Sequence, residues 1–502
     1  MGREEPSGLP APPAAGDAAF TAGLRDALEQ AGYTEAGLRA VQGRDEEGPD
    51  GRPNLAYYLR RLAEPTPLHT LVRLFTLNVT VAEDEARAAL APVPLESVLA
   101  SGLVEPAPGG GVRSPFAMSI TGGLRLVHDP SGSAFAGIGR AHVAGVGASA
   151  LTLAGVTPRR PTGRTLDLGT GSGIQALLAA PHSDTVVAVD ANRRALGFTA
   201  FNAALNGVGV GTRLGDWYDP VAGERFDLIV CNPPYVISPE TRYQFRDGGM
   251  PEDRLCATIV RRAAAHLTEG GVAVVLANWG HHAPGEWWEP AARWVDNLGC
   301  DAWLLHDETF EPLDYAAVWN RGRDEPAYAD ALDRWTAYLA GCGIVAVTAG
   351  VVLLRRRAGT RNWLRTAGPP TLAEPLGEQI ARVFAAEDLL TEGDDVVRQV
   401  RLRLPADHRL EFGMRAGDGR LAVADTRLRL LRGLRSEVAV DDDVLHLLAR
   451  CDGRHRVGDV AMGLAEARGE DPDVVTAAVV AVARRLLALG LAEPSPDAPT
   501  KR

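Results

Sequence analysis

A chain of 502 residues, with a 46% hydrophobic and 23% charged composition, is too long for one ordinary core and has the balance of a folded protein of two to four domains. Its formal net charge of −12 at pH 7 disfavours indiscriminate binding to nucleic acid or to anionic membrane. Lys501 is the only lysine, so the basic positions are nearly all arginine, a compositional bias from which no function is read.

Residues 1–17 begin with acids and run on Pro/Ala/Gly-rich, the composition of a disordered tail, without the basic-then-apolar order of a secretion signal. Residues 18–112 show apolar side chains at three- and four-residue steps: Leu24 and Leu28, then Tyr57, Leu59 and Leu62, then Leu71, Leu74 and Phe75. That spacing predicts a mainly helical N-terminal domain. It closes on Val98-Leu-Ala-Ser-Gly-Leu-Val-Glu-Pro106, which is echoed near the far end by Leu487-Ala-Leu-Gly-Leu-Ala-Glu-Pro494. In each, a helix runs out at Gly and a short strand follows, as where a winged helix enters its wing; winged-helix character at both ends is one of two even readings.

Phe116–Ile120 and Leu124–Val127 flank Thr121-Gly-Gly123 and predict a hairpin. Gly145–Gly155 reads as a glycine-rich loop leading into a helix. From Arg164 onward apolar strands alternate with helices. The strands are Thr165–Leu168, Thr185–Val189, Arg213–Leu214, Phe226–Cys231, Val272–Ala277, Ala302–His306 and Ile344–Leu354, and the helices include Ile174–Ala180, Arg193–Leu205 and Arg254–Leu267. The alternation predicts a mostly parallel, doubly wound α/β sheet of seven strands over residues 113–360. The apolar run Gly343–Leu354 is too short to span a bilayer and reads as a strand or strand pair.

Residues 365–494 read as a separate α+β domain. Its strand candidates are Asp395–Leu404, Glu411–Met414 and Leu421–Ala424, its helices lie around Val444–Ala449 and Val474–Leu489, and residues 495–502 form a tail. Asp441–Asp443 suits a helix N-terminus, not a calcium loop. The five cysteines, Cys231, Cys256, Cys300, Cys342 and Cys451, lack the close spacing of a zinc or redox motif and read as reduced thiols of a cytoplasmic protein.

Two strings carry chemistry. Leu166-Asp167-Leu-Gly169-Thr170-Gly171-Ser-Gly173 sits where the first strand ends and a helix begins, where glycines let the backbone turn tightly against a ligand. Asp190 ends the next strand at the distance of roughly 20 residues expected of an acid that binds ribose hydroxyls. A loose dinucleotide fingerprint fits the same turn, but Asp167 suits an ammonium group and tilts the reading to S-adenosyl-L-methionine. Ala191 follows Asp190, and Asp216-Trp217 after the third strand suits the adenine amino group and ring face.

The second string is Phe226-Asp-Leu-Ile-Val-Cys231-Asn232-Pro233-Pro234-Tyr235. A strand running into two prolines makes a stiff polar ledge. An amide or aromatic amine nitrogen is a poor nucleophile, because its lone pair is delocalised. With its hydrogens accepted by the Asn232 side-chain oxygen and the Pro233 carbonyl, such a nitrogen can be aimed, and those contacts strengthen as charge develops on it. Tyr235 would stack on the flat acceptor. Cys231 faces the core on this reading, and neither a metal nor a strong base is required.

From about Thr165 to Val236 the sequence resembles the HemK-type class I methyltransferases, which modify the glutamine of the Gly-Gly-Gln loop in translation release factors. The matching residues are Asp167–Gly173, Asp190, Gly215-Asp-Trp-Tyr-Asp-Pro220 and Phe226–Tyr235, with Asp247-Gly248-Gly249 beyond them. The resemblance implies a class I methyltransferase Rossmann-like sheet, with Asn232 and Pro233 holding a glutamine amide and Gly169, Asp190 and Asp216 holding the cofactor. Asn-Pro-Pro-Tyr is also similar to motifs of adenine methyltransferases and of guanine-amine methyltransferases of ribosomal RNA. Three readings stay open: methylation of a protein glutamine, methylation of a base amine in ribosomal or transfer RNA, and a cofactor-binding scaffold without turnover. The arginine-dense stretches Arg355–Arg357 and Arg427–Arg435 motivate the second. The partner expected is a macromolecular substrate, gripped in part by the flanking domains, with no membrane. His281-His282 beside Trp279, Trp287 and Trp288 is a weak candidate for a cap on the substrate mouth or a plain loop.

Overall fold

The computed structural model describes residues 9–43, 54–130, 141–240, 246–247, 249–357, 359, 362–368, 371–372, 375–417 and 420–495. Much of the expected N-terminal tail, most of the expected C-terminal tail and Gly248 lie outside them. The chain divides into two compact units, one of residues 1–154 with 161–366, the other of 155–160 with 367–502.

The first unit starts with helices Ala18–Gln30, Glu35–Gln42, Leu55–Arg61 and Pro67–Leu71. Each begins where a short polar side chain caps the open backbone amides: Asp17 accepts from Phe20 N, Thr34 from Gly37 N, Asn54 from Tyr57 N and Thr66 from His69 N. Leu24, Leu28, Leu71, Leu74 and Phe75 are fully buried, but Leu59 is exposed. Tyr58 and Leu62, one helical turn apart, form the inward face instead.

Further along, Val81 bridges Val112, helices Glu83–Leu90 and Leu95–Ser101 follow, and strand Glu105–Pro106 pairs antiparallel with Val112–Arg113. With the preceding helix this is the helix–strand–helix–helix–strand–strand order of a winged helix. Its core continues into Phe198, Phe201 and Leu205 of the helix Arg193–Asn206, so no break in packing falls at residues 112–113. The hairpin Ala117–Thr121 and Leu124–His128 lies against the same helix: Asn202 bonds the Val127 backbone and Asn206 that of Arg125.

The central sheet contains β1 (Thr162–Leu168), β2 (Ser183–Asp190), β3 (Gly211–Leu214), β4 (Phe226–Cys231), β5 (Leu267–His281), β6 (Cys300–Phe310), β7 (Ala346–Arg356) and β8 (Leu364–Ala367). Their spatial order is β8-β6-β7-β5-β4-β1-β2-β3. β1 to β5 pair in parallel, and β7 runs antiparallel between β5 and β6. β1 and β4 sit mid-sheet between helices on both faces, so Leu166, Leu168, Leu228, Ile229 and Val230 are all buried, as parallel strands require. The chain order reverses between β1 and β4, which opens a crevice at their carboxyl ends. This is the class I methyltransferase Rossmann-like fold, with an eighth strand at the edge beyond the seven expected.

Between β6 and β7 the chain inserts a helical hairpin, Pro312–Trp319 and Glu325–Gly341, which the sequence reading missed. Tyr315, Trp335 and Leu339 form a small core with Val236 and Ile237, just after the prolines of β4. The Tyr315 hydroxyl accepts from Ile237 N at 2.9 Å.

The second unit also departs from expectation at its start. Helix Gly377–Thr391 was not foreseen, and Asp394–Gln399 is a helix where a strand was expected. Its acids Asp394 and Asp395 open the first turn and Arg398 closes the last, which favours a helix through its dipole. Only Arg401–Arg403 is extended, in the middle of a sheet with Asp452–Arg456 and Glu493–Pro494. Helices Asp442–Leu448, Val457–Arg468 and Pro472–Ala488 complete a second winged-helix pattern whose third strand comes from upstream. The Asp441 side chain caps the first of them, accepting from Asp443 N and Val444 N. The remaining strands, His408–Gly417, Arg420–Leu430 and Glu437–Ala439, form an antiparallel sheet.

The arginine-dense stretches are largely committed within the fold. Arg355 is buried, the Arg356 Nη1 donates to the Ala264 carbonyl, and Arg357 faces Asp301 at 3.7 Å. Arg427 pairs with Glu437 and Arg429 with Glu411. No helix is long and apolar enough to cross a membrane among the described residues.

Candidate active site

A cleft of about 500 Å³ opens at the carboxyl ends of β1, β2 and β4. Asp167, Gly169, Thr170 and Gly171 line it from the first turn, Asp190 and Ala191 from the second strand, Asp216 and Trp217 from the loop after β3, and Asn232, Pro233 and Tyr235 from β4. The cleft thus collects every residue proposed for the site except Gly173.

Gly173 serves the turn itself. Its φ of +89° precedes the helix Ile174–Ala179, and an added Cβ would press on Leu177 and Thr199 at 3.1 Å. Gly169 holds φ +77°, and a methyl group grown on it would lie 3.8 Å from the Trp217 ring and 4.0 Å from the Asn232 carbonyl oxygen. The glycine loop and the Asn-Pro-Pro ledge are therefore packed against each other. Trp217 itself adopts φ +48°, a conformation that costs a non-glycine residue about 1–3 kcal/mol and occurs where loops clamp ligands.

The two acids at the strand ends staple the loop. Asp167 Oδ2 accepts from the Thr170 hydroxyl at 2.7 Å and from Ala176 N at 3.0 Å. Burial pushes its carboxyl up to about 7, against the pull of those two hydrogen bonds. Asp190 accepts from Gly171 N at 3.0 Å and Asn192 N at 2.8 Å; burial raises it too, and the backbone amides hold it down.

On the acceptor side the Asn232 Nδ2 donates to the Ser149 hydroxyl at 3.1 Å. Tyr235 is largely buried and meets Trp319 edge-on with ring centroids 6.1 Å apart. Burial raises its hydroxyl above the ordinary tyrosine range. Cys231 is buried in the sheet core, and burial pushes its thiol far up, as expected of a packing residue and not of a nucleophile.

Several cleft residues escaped the sequence reading: His142, Ser149, Asn192, Arg246 and Trp319. Of these, Asn192 follows Asp190 and carries an N-cap signal, but Trp319 lies more than eighty residues from the motif and reaches it only through the helical hairpin. His281, Trp279, Trp287 and Trp288 do not line the cleft. Trp279 is fully buried, donates to the Trp287 carbonyl at 2.6 Å and packs with Trp294, so this cluster is core and not a cap.

Comparison with known proteins matches residues 145–285 to the family described as methyltransferase small domain, and residues 30–115 to a domain of unknown function. The ribosomal protein uL3 glutamine methyltransferase of Bradyrhizobium diazoefficiens is 40% identical over 122 residues, covering 22% of this chain and 38% of the relative. Over this stretch the chain is similar to the HemK-type methyltransferases. Release factor glutamine methyltransferases of Xylella fastidiosa and Cereibacter sphaeroides match the chain at 39% over 131 residues and 40% over 127. They cover 23% and 22% of this chain and 47% and 45% of those relatives. The chain spans less than half the length of these relatives, so the likeness rests on the central region alone.

The chemistry of the cleft fits one class of cofactor. Asp167, Asp190 and Asp216 line its cofactor half, and among the described residues the only arginine lining the cleft is Arg246, which is held by Asp247 at 2.8 Å and Glu240 at 2.7 Å. A cationic nucleoside with an ammonium group suits three carboxylates. The pyrophosphate of a dinucleotide would meet them with no unclaimed cation to offset its charge.

Proposed function

We propose that the chain is an S-adenosyl-L-methionine-dependent N-methyltransferase whose acceptor is a planar amide nitrogen, a protein glutamine side chain first among them. The observation that carries this reading is the apposition of Asn232 to Gly169 in one cleft with Asp190 and Tyr235. Asp167, Gly169, Thr170, Gly171, Asp190, Ala191, Asp216 and Trp217 would hold the cofactor. When bound, it supplies a methyl group on a positively charged sulfur.

The chain's own residues then prepare the acceptor. The Asn232 side-chain oxygen and the Pro233 carbonyl would accept the two hydrogens of an amide NH₂. Binding both turns the nitrogen's lone-pair axis toward the cofactor half, and the same contacts strengthen as the nitrogen gains positive charge. Tyr235 and Trp319 give the flat group an apolar wall that displaces water. Positioning of this kind supplies on the order of 7–11 kcal/mol. No side chain need act as a strong base, because the nitrogen becomes acidic once alkylated and releases its proton to water.

The charge of the cleft favours a protein loop over a nucleic acid. A polynucleotide acceptor would need cations for its phosphates, and the one lining arginine among the described residues is already held by two carboxylates. The test is incubation of the full chain with methyl-labelled cofactor and a release factor carrying its Gly-Gly-Gln loop. Label on that glutamine, located by mass spectrometry of the peptide, is the expected result. Label confined to nuclease-sensitive material, or none on any fraction, overturns the reading.

A further inference from the structure

We propose that Ser149 is a positioning residue that fixes which end of the Asn232 amide faces the acceptor. The assignment rests on the N-methyltransferase reading above. An asparagine amide is nearly symmetric in shape but opposite in hydrogen-bonding sense at its two ends: the oxygen accepts, the nitrogen donates. An acceptor substrate with an NH₂ group needs the oxygen. A half-turn about the last side-chain bond would present a donor to a donor and block binding in the productive pose.

The structure shows the nitrogen end of this amide already engaged. Ser149 stands in the first turn of the helix Ala148–Val156, and its hydroxyl receives Asn232 Nδ2 at 3.1 Å. A serine hydroxyl has one hydrogen and two lone pairs, so it accepts from Nδ2 with a lone pair to spare. The Asn232 oxygen makes no hydrogen bond among the described residues, while Asn232, Ser149 and Tyr235 all line the cleft. Sequence gives no hint of the tie, because 83 residues separate Ser149 from Asn232.

The experiment has two arms. In the first, the full chain is labelled with ¹⁵N-asparagine, and the Asn232 side-chain signal is identified by its loss in Asn232→Asp. We expect hydrogen exchange at that NH₂ to quicken at least about tenfold in Ser149→Ala and to stay slow in Ser149→Thr. Equal exchange in wild type and Ser149→Ala overturns the tie. In the second arm, Ser149→Ala lowers kcat about 10- to 100-fold with cofactor Kd within about threefold, and Ser149→Thr recovers most of the rate. Unchanged kcat in Ser149→Ala beside an active wild type overturns the role while leaving the methyltransferase reading standing. A wild-type chain that methylates no amide sinks that reading, and the exchange arm still decides whether Ser149 holds Asn232.

Discussion

The carboxylate of Asp167 and the hydroxyl of Thr170 lie 2.7 Å apart, and this contact makes the acid a structural staple as well as a candidate cofactor ligand. The same Oδ2 takes the Ala176 amide, so the acid closes the glycine loop onto the helix that follows. It does so from a buried position, and burial pushes its carboxyl up to about 7.

That position has a pH consequence. A carboxyl whose folded value of about 7 exceeds its unfolded value near 3.8 contributes stability while protonated, and this is withdrawn as pH rises through 7. The difference corresponds to about 4 kcal/mol for this one group. An ammonium ligand binds the ionised form, so cofactor affinity should rise between pH 6 and 8. In Asp167→Asn the affinity should be weaker and nearly independent of pH. Calorimetric titration across that range checks both, and a flat wild-type profile counts against Asp167 as a ligand.

Asn232→Ala should lower kcat by about 10²–10³ with cofactor affinity within about threefold, since it removes an acceptor that acts on the reacting nitrogen. Steady-state rates beside direct cofactor titration separate the two effects. Full-speed transfer in this variant would end the proposed mechanism.

Gly169→Ala should cost about 1–3 kcal/mol of stability, because the new side chain must occupy φ +77° although space for it exists. The methyl would also stand between Trp217 and the Asn232 carbonyl, so cofactor binding should weaken more than tenfold. Thermal unfolding and cofactor titration measure the two losses. Unchanged affinity would place the cofactor elsewhere.

Glu105 and Glu493 each face an arginine across a strand pair: Arg113 at 2.6 Å and Arg403 at 2.9 Å. Gly102 and Gly490, in the left-handed region, turn the chain into both strands. These pairs are at or near the surface, so double-mutant cycles should give couplings of about 0.2–1 kcal/mol in each. A coupling above 2 kcal/mol at Glu493–Arg403 would show that the repeated pair carries more than geometry.

The sequence by itself determined the parts of this protein whose signals are local. The alternation of apolar strands and helices after Arg164 foretold the doubly wound sheet, because burial on both faces leaves little choice of residue. The turn at Asp167–Gly173 and the ledge at Asn232–Tyr235 could be read as they stand, since tight backbone and stiff prolines need those residue types in that order. The echo of Leu-Val-Glu-Pro and Leu-Ala-Glu-Pro marked two places where a helix ends and a short strand follows. Tertiary structure alone decided what depends on contacts between distant segments. It brought Ser149 to Asn232, carried Trp319 to Tyr235 on an inserted hairpin and turned the Trp279 cluster inward. It also tied the suspected RNA-binding arginines to nearby carboxylates and carbonyls. Those pairings cross tens of residues, and no periodicity within one segment encodes which distant side chain it will meet.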